Sequence, residues 1–375
     1  MSTADAEAAC KDQKPLIVVS GVNVREVGAL SIFRDALSVL AQQYANRYRI
    51  MALVKDRRLF DVAGVAYLEF PHISRSWLSR IRFEYWSARK ISDQWKPWFW
   101  LSIHDTTPNV RAEIRAVYCH NASPFYRMKP AEFMLDRRFG MFTLFYQYLY
   151  RINIHANQYV IVQQEWMRKE FERLFGIKNV VVAHPELYLE SVGGVQQERG
   201  AGPYRFFYPM FPRTYKNPEV ALHAARVLKR RGFHDFELWL TFDSKTNRYA
   251  ASVVEEFGNL NCVRWLGVLP RERVYELYGE ADCLLFPSRL ETWGLPISEF
   301  RSFGKPILAA DLPYAHETAS GYERVSFFDP KDAEALAEMM MRAAKREPIF
   351  EKVPEIEIAA PFSRNWSELW RMMLG

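Results

Sequence analysis

The chain has 375 residues, of which 49% are hydrophobic and 25% charged, with 50 Lys and Arg against 44 Asp and Glu. This globular mixture excludes wholesale disorder, collagen and coiled coil, and the length suits two domains of roughly 180 residues. Residues 1–195 carry 26 basic and 19 acidic side chains, a net +7, while residues 196–375 carry 24 and 25, a net −1. A partner attracted by bulk charge therefore belongs to the first half. Aromatic residues make up 15% of the chain and crowd the same half.

The N-terminal MSTADAEAACKDQK is polar and lacks an apolar core, so no secretory signal is expected. PLIVVSG (15–21) reads as a buried strand, and in 23–43 Leu30, Phe33, Leu37 and Leu40 recur at helical spacing. Strand-like runs follow at 48–54, 65–70, 98–104, 116–120 and 158–163, with room for helices between several of them. Near-continuous apolar strands alternating with helices predict a parallel sheet covered on both faces. Residues 190–203, ESVGGVQQERGAGP, read as an interdomain linker. The pattern then restarts: a strand at 204–210, a helix at 217–232 ending in glycine, and strands at 236–242, 263–267, 281–288, 305–311 and 324–330. The last segment, 362–375, reads as an amphipathic helix with Trp366, Leu369, Trp370 and Met373 on one face. Cys10, Cys119, Cys262 and Cys283 form no CxxC pair and no disulfide framework, so a reducing compartment is expected. No run of 18 apolar residues occurs, so no membrane span is expected.

The most informative stretch is FPSRLETWGLPISEF (286–300). Pro296 suits the first position of a helix, so the preceding loop aims backbone N–H groups at the carboxyl edge of the sheet, where an anion such as a diphosphate is favoured. Gly294 lets the backbone approach a ligand closely. Glu291 in the loop and Glu299 in the first helical turn are eight positions apart, and carboxylates suit acceptance from paired sugar hydroxyls. The plainer reading leaves Glu299 complementing the helix dipole and Glu291 solvated.

ETWGLPISE, an E-x7-E spacing, followed by FRSFGKPILAADLPYAHE (300–317), resembles the signature of the retaining family 4 glycosyltransferases. The resemblance extends to ADCLLFPS (281–288) and YPMFPRTYKNPEVALHAA (208–225), and it is specific over roughly 204–340. It implies the α/β architecture called GT-B: two Rossmann-like domains whose parallel sheets face each other across a cleft. The expected division is an acceptor-side domain at 1–195, a nucleotide-sugar domain at 204–360 and a C-terminal helix, 361–375, packing back on the first. The implied reaction moves a sugar from a nucleotide-sugar donor with retention at the anomeric carbon, without a metal and without a cofactor beyond the donor.

By the same resemblance Glu299 holds the donor ribose and Glu291 the donor sugar, while the backbone at Thr292, Trp293, Gly294 and Leu295 meets the diphosphate or the sugar. Lys216 and Arg213, in PRTYK, neutralise the diphosphate leaving group, which is where charge develops. Phe211 stands where the family usually has arginine, so Arg213 reaches from an altered place. Val268, in WLGVLP, is the candidate for the turn facing the nucleobase, or part of a plain strand-to-helix turn. Gly28 corresponds to the second of two family glycines, with Val27 replacing the first. His120 stands at the carboxyl end of a strand, where α/β sheets bind ligands, and the family often has histidine there beside the donor sugar. His104 and Asp105 contact donor or acceptor, or Asp105 caps a turn. No triad and no metal-ligand spacing is present.

Residues 75–100 hold six basic, two acidic and eight aromatic side chains, and RRFGMFTLFYQYLYR (137–151) is an aromatic run flanked by arginines. Both suit an anionic membrane surface, and both also suit the core of the first domain. No nucleic-acid motif accompanies the basic charge, so no nucleic acid partner is expected. The reading is a cytoplasmic hexosyltransferase, peripheral on the inner face of the membrane. It takes a UDP- or GDP-linked hexose, with mannose favoured, to a polysaccharide or lipid-linked saccharide. Its rivals are a non-catalytic nucleotide-sugar-binding subunit and a GT-B epimerase or inverting transferase.

Overall fold

In the computed structural model the strands are β1 (Leu16–Ser20), β2 (Arg49–Val54), β3 (Val65–Glu69), β4 (Phe99–Ser102), β5 (Ile114–Cys119), β6 (Tyr159–Val162), β7 (Val180–Ala183), β8 (Tyr204–Tyr208), β9 (Phe236–Leu240), β10 (Val263–Trp265), β11 (Cys283–Phe286), β12 (Ile307–Ala310), β13 (Val325–Phe328) and β14 (Phe362–Ser363). The structure describes residues 14–24, 27–73, 76–186 and 202–375. Residues 1–13, with Cys10, and most of the expected linker 190–203 lie outside the described residues. The chain forms two units: Met1–Pro124 with Phe145–Glu186 and Ile358–Gly375, and Phe125–Leu144 with Leu187–Glu357.

The first unit holds an eight-stranded parallel sheet in the order β14-β7-β6-β5-β4-β1-β2-β3. Every residue of β1, β4 and β7 is buried, as expected for strands covered on both faces. The helix Val27–Tyr44 turns Phe33, Leu37 and Leu40 into this core. The C-terminal helix Trp366–Leu374 joins the same core. Its Trp370 ring stands 5.9 Å from Phe99, and its indole N–H donates to the Ala36 carbonyl at 3.0 Å. Ahead of it, Arg168 donates to the carbonyls of Ala359 and Pro361 at 2.9 and 2.6 Å, and β14 pairs with β7. β7 escaped the sequence reading because its four apolar residues sit beside the Gly-rich stretch and carry no periodicity of their own.

The second unit holds a six-stranded parallel sheet in the order β10-β9-β8-β11-β12-β13. The helix Pro218–Arg230 opens on a proline, buries Val220, Leu222, Val227 and Leu228, and is followed by Gly232 at φ +77, a left-handed stop that glycine adopts freely. Residues 125–144, expected in the first domain, belong to the second unit. Two ion pairs hold them there, Glu132 with Arg289 at 2.7 Å and Asp136 with Arg213 at 3.0 Å. Phe139 adds a ring contact with Tyr215 at 4.7 Å. The unit boundary thus falls within the helix Arg137–Arg151.

Both sheets reverse their strand order once. In the first the reversal lies between β1 and β4, in the second between β8 and β11. Beyond the carboxyl ends of such strands is where open α/β sheets take ligands.

Candidate functional site

In the second unit the chain leaves β8 and forms a 3-10 turn, Thr214–Lys216, while β11 leads into the loop that carries Glu291. These two strands are hydrogen-bonded neighbours, so Lys216 and Glu291 meet despite their separation of 75 residues. The ammonium nitrogen of Lys216 lies 2.5 Å from Glu291 Oε1. It also sits 5.8 Å from the Phe286 ring and 5.5 Å from the Tyr215 ring, faces that attract a cation. The Lys216 carbonyl accepts from the Tyr208 hydroxyl at 2.7 Å, which fixes the turn. Both members of the pair are mostly but not fully enclosed, with 16% and 14% of their side chains open. Glu291 Oε2 has no hydrogen-bond donor among the described residues.

Gly294 sits in this loop at φ +89, a left-handed conformation that side chains disfavour, and it precedes the helix Leu295–Arg301. A Cβ there would lie 3.5 Å from Phe286 and from Tyr314, in ordinary contact, so the backbone angle rather than crowding calls for glycine. The helix begins at Leu295, one residue earlier than expected, with Pro296 in its second position. It is seven residues long, so its dipole is small. Trp293 is buried: its indole donates to Ser298 Oγ at 2.8 Å and its carbonyl accepts from Thr318. Trp293 thereby ties the loop to the helix. Thr292 and Leu295 are partly exposed beside it.

Glu299 is enclosed on the inner side of that helix. Tyr278 donates its hydroxyl to Oε2 at 2.9 Å, and burial together with the Glu299 charge holds that phenol protonated, well above its ordinary range. Arg271 reaches Oε1 at 3.4 Å from an exposed position. The Tyr278 bond orients the carboxylate, and the Arg271 bond is long and solvated. Val268 follows Gly267, which is at φ +71, and is 63% exposed. Arg213 is engaged by Asp136, its Nη1 donating to Oδ1 and Oδ2 at 3.2 and 3.0 Å. The sequence reading left that partner unnamed.

The candidates of the first unit are placed differently. Gly28 lies in the first turn of the helix Val27–Tyr44. His104 is buried, with Nε2 3.1 Å from Ser20 Oγ and Nδ1 3.3 Å from Thr106 Oγ1. Burial, opposed by the Glu84 charge, pushes its pKa below the ordinary value, so the ring is neutral. Thr106 in turn donates to Glu84 Oε2, and Arg80 donates to Glu84 Oε1 at 2.8 Å. Asp105 stands at φ +75 and is buried. It accepts from the Tyr146 and Tyr150 hydroxyls at 3.1 Å each and from the His120 amide at 2.8 Å. The polar atoms of His104 and Asp105 thus find their partners inside the unit. His120 remains partly exposed, with Nδ1 3.8 Å from Asp105 Oδ1.

Sequence reasoning missed Tyr278, Arg271, Asp136 and the Glu132–Arg289 pair. It also missed the Arg80–Glu84 pair, whose (i, i+4) spacing was visible inside the basic, aromatic stretch. Among the described residues no three His, Cys, Asp or Glu side chains gather as a metal site, and no helix is long and apolar enough to cross a membrane.

Residues 196–356 match the family model described as glycosyl transferases group 1. O-antigen chain mannosyltransferase B of Escherichia coli is 28% identical over 113 residues, which are 30% of this chain and 26% of that protein, so the match spans about a quarter of the relative. Among solved structures, sucrose-phosphate synthase of Thermosynechococcus elongatus superposes with a TM-score of 0.64 at 13% identity, covering 96% of this chain and 95% of the other. HepE of Anabaena in complex with UDP-glucose superposes with a TM-score of 0.60 at 12% identity, covering 96% and 95%. At such identities the superpositions establish the fold. Residues 196–356 are thus similar to the glycosyl transferases group 1, and the chain has the GT-B fold.

Proposed function

We propose that this protein is a retaining, metal-independent hexosyltransferase that takes a UDP- or GDP-linked donor, mannose being the favoured sugar. The acceptor is a cell-surface polysaccharide or its lipid-linked precursor, and the reaction takes place in the cytoplasm. The observation that carries this reading is the Lys216–Glu291 pair beyond the strand reversal of the second sheet, beside the left-handed Gly294. The ammonium group is placed to neutralise a departing diphosphate, the largest charge to develop in the reaction. Glu291, with one oxygen to spare, accepts from hydroxyls of the donor sugar. Glu299, oriented by Tyr278, accepts from the ribose hydroxyls. The family match over 196–356 supports donor binding by this unit. The mannosyltransferase named above and the UDP-glucose complex of HepE support the donor class. Retention follows if the leaving phosphate takes the acceptor proton.

The test is a thermal-shift screen against UDP-, GDP-, ADP- and TDP-sugars in the presence of a chelator. A ligand at 100 times its Kd adds ~2.7 kcal/mol, a clear rise in Tm. Glu299→Ala weakens binding of the donor so found by ~1–3 kcal/mol, the worth of charged hydrogen bonds. A flat screen at millimolar donor, or unaltered donor affinity in the variant, overturns the assignment.

A further inference from the structure

The helix Arg137–Arg151 is apolar on both faces. Its inner face, with Phe139, Thr143, Tyr146 and Tyr150, is buried. Its outer stripe consists of Met141, Leu144, Phe145 and Tyr148, continued by Ile152, and these leave 40–59% of their surface open. They recur at spacings of three and four, one continuous line along a helix about 22 Å long. A helix that covers a protein in water normally turns charged and polar groups outward. This one turns outward a row of large apolar side chains.

The ends of the stripe are basic. Arg137 and Arg138 are exposed in the first turn and Arg151 in the last, and no acidic residue lies between 137 and 152. The two acids just before the helix are engaged elsewhere, Glu132 by Arg289 and Asp136 by Arg213. Two cations in a first turn oppose the helix dipole, so local helix energetics do not account for them. A second copy of the chain is a poor cover for the stripe. Both ends are positive, so either orientation of two such helices brings arginine against arginine. An anionic bilayer answers both features, with acyl chains for the stripe and headgroup phosphates for its ends. In the first unit, exposed Leu78 and Trp86 with exposed Arg82 and Lys90 repeat the same composition.

We propose that the helix Arg137–Arg151 lies flat on an anionic lipid surface, with Met141, Phe145 and Tyr148 seated among the acyl chains and Arg137, Arg138 and Arg151 on the phosphates. The docking does not rest on the glycosyl-transfer reading; the two meet only in that a lipid-linked acceptor resides on such a surface.

The test is co-sedimentation of the full chain with vesicles of phosphatidylcholine containing about one-third phosphatidylglycerol, against phosphatidylcholine alone. The protein binds the anionic vesicles, and binding weakens as salt rises. Arg137→Glu with Arg138→Glu weakens it roughly 25-fold or more, at about fivefold for each lost arginine. Met141→Ser with Phe145→Ser weakens it roughly tenfold. All four positions are exposed, and circular dichroism and Tm confirm that each variant is folded. Absence of binding to the anionic vesicles, or variants that bind like the parent, overturns the proposal. A dimer in sedimentation equilibrium that the serine pair dissolves also overturns it, by making a second copy the cover.

Discussion

The two strand reversals of this molecule each carry an enclosed ion pair, Arg80–Glu84 at one and Lys216–Glu291 at the other, and the pairs are set differently. Beyond β1 and β4, Arg80, Glu84, His104, Thr106 and Ser20 close upon one another. Both oxygens of Glu84 are engaged, and its side chain is 3% exposed. Beyond β8 and β11, Glu291 has one engaged oxygen and is 14% exposed. Open α/β sheets offer a ligand edge at every reversal, and the side chains decide whether it is kept. A carboxylate whose lone pairs are filled by its own protein has nothing to give a substrate. One with an oxygen to spare, beside a cation and a left-handed glycine, does.

The comparison predicts opposite outcomes for the two pairs. Glu84→Ala leaves the Arg80 charge buried and without its main partner, at a cost of about 3–5 kcal/mol. For a unit of this size that lowers Tm on the order of 10 °C. A loss of less than about 1 kcal/mol would show that water reaches the network, and the contrast would fail. Lys216→Ala is the converse. Its effect on Tm stays within about 1 kcal/mol, because Glu291 can turn to solvent. Its effect on turnover is roughly 100- to 1,000-fold, the cost of removing one preorganised stabiliser of developing charge. The measurement is sugar release from the donor that binds. Turnover within about threefold of the parent would remove Lys216 from the chemistry.

How much of this could be read from the chain follows from distance along it. ETWGLPISE is contiguous, so the loop, Gly294 and both glutamates were legible together. The strands were legible because buried parallel strands are apolar runs, which is why the GT-B fold was expected from residues and resemblance before the structure. The partners of the site were not. Glu291 and Lys216 are 75 residues apart, Arg213 and Asp136 77, and Arg289 and Glu132 157. Nothing in local composition links such positions. The same separation hid the membership of residues 125–144, which follow the first half in sequence and the second in contacts. For His104 and Asp105 the reverse applied. A histidine and an aspartate at a strand end look like chemistry, and only their partners, Ser20, Thr106, Tyr146 and Tyr150, show that they are satisfied within the unit.

Arg213 is a third case and sharpens the contrast. Its guanidinium is a third exposed, more than the side chain of Arg80 or of Lys216, yet it is held by a buried carboxylate. Asp136→Asn tests which it resembles. Asparagine keeps the shape and an oxygen for the Phe139 amide, which Asp136 Oδ1 now accepts at 3.1 Å, and removes the charge. Stability falls by about 1 kcal/mol, the worth of a partly exposed pair. If a diphosphate also draws on Arg213, the freed guanidinium binds donor more tightly, by roughly two- to fivefold, because Asp136 no longer competes. Melting and donor titration on the same preparation read the two effects separately, and their signs differ. A lower Tm with unchanged donor affinity makes Arg213 a tie between segments and nothing more. A lower Tm with tighter donor binding sets it beside Lys216, as a cation that the protein lends to the leaving group and otherwise keeps in pair.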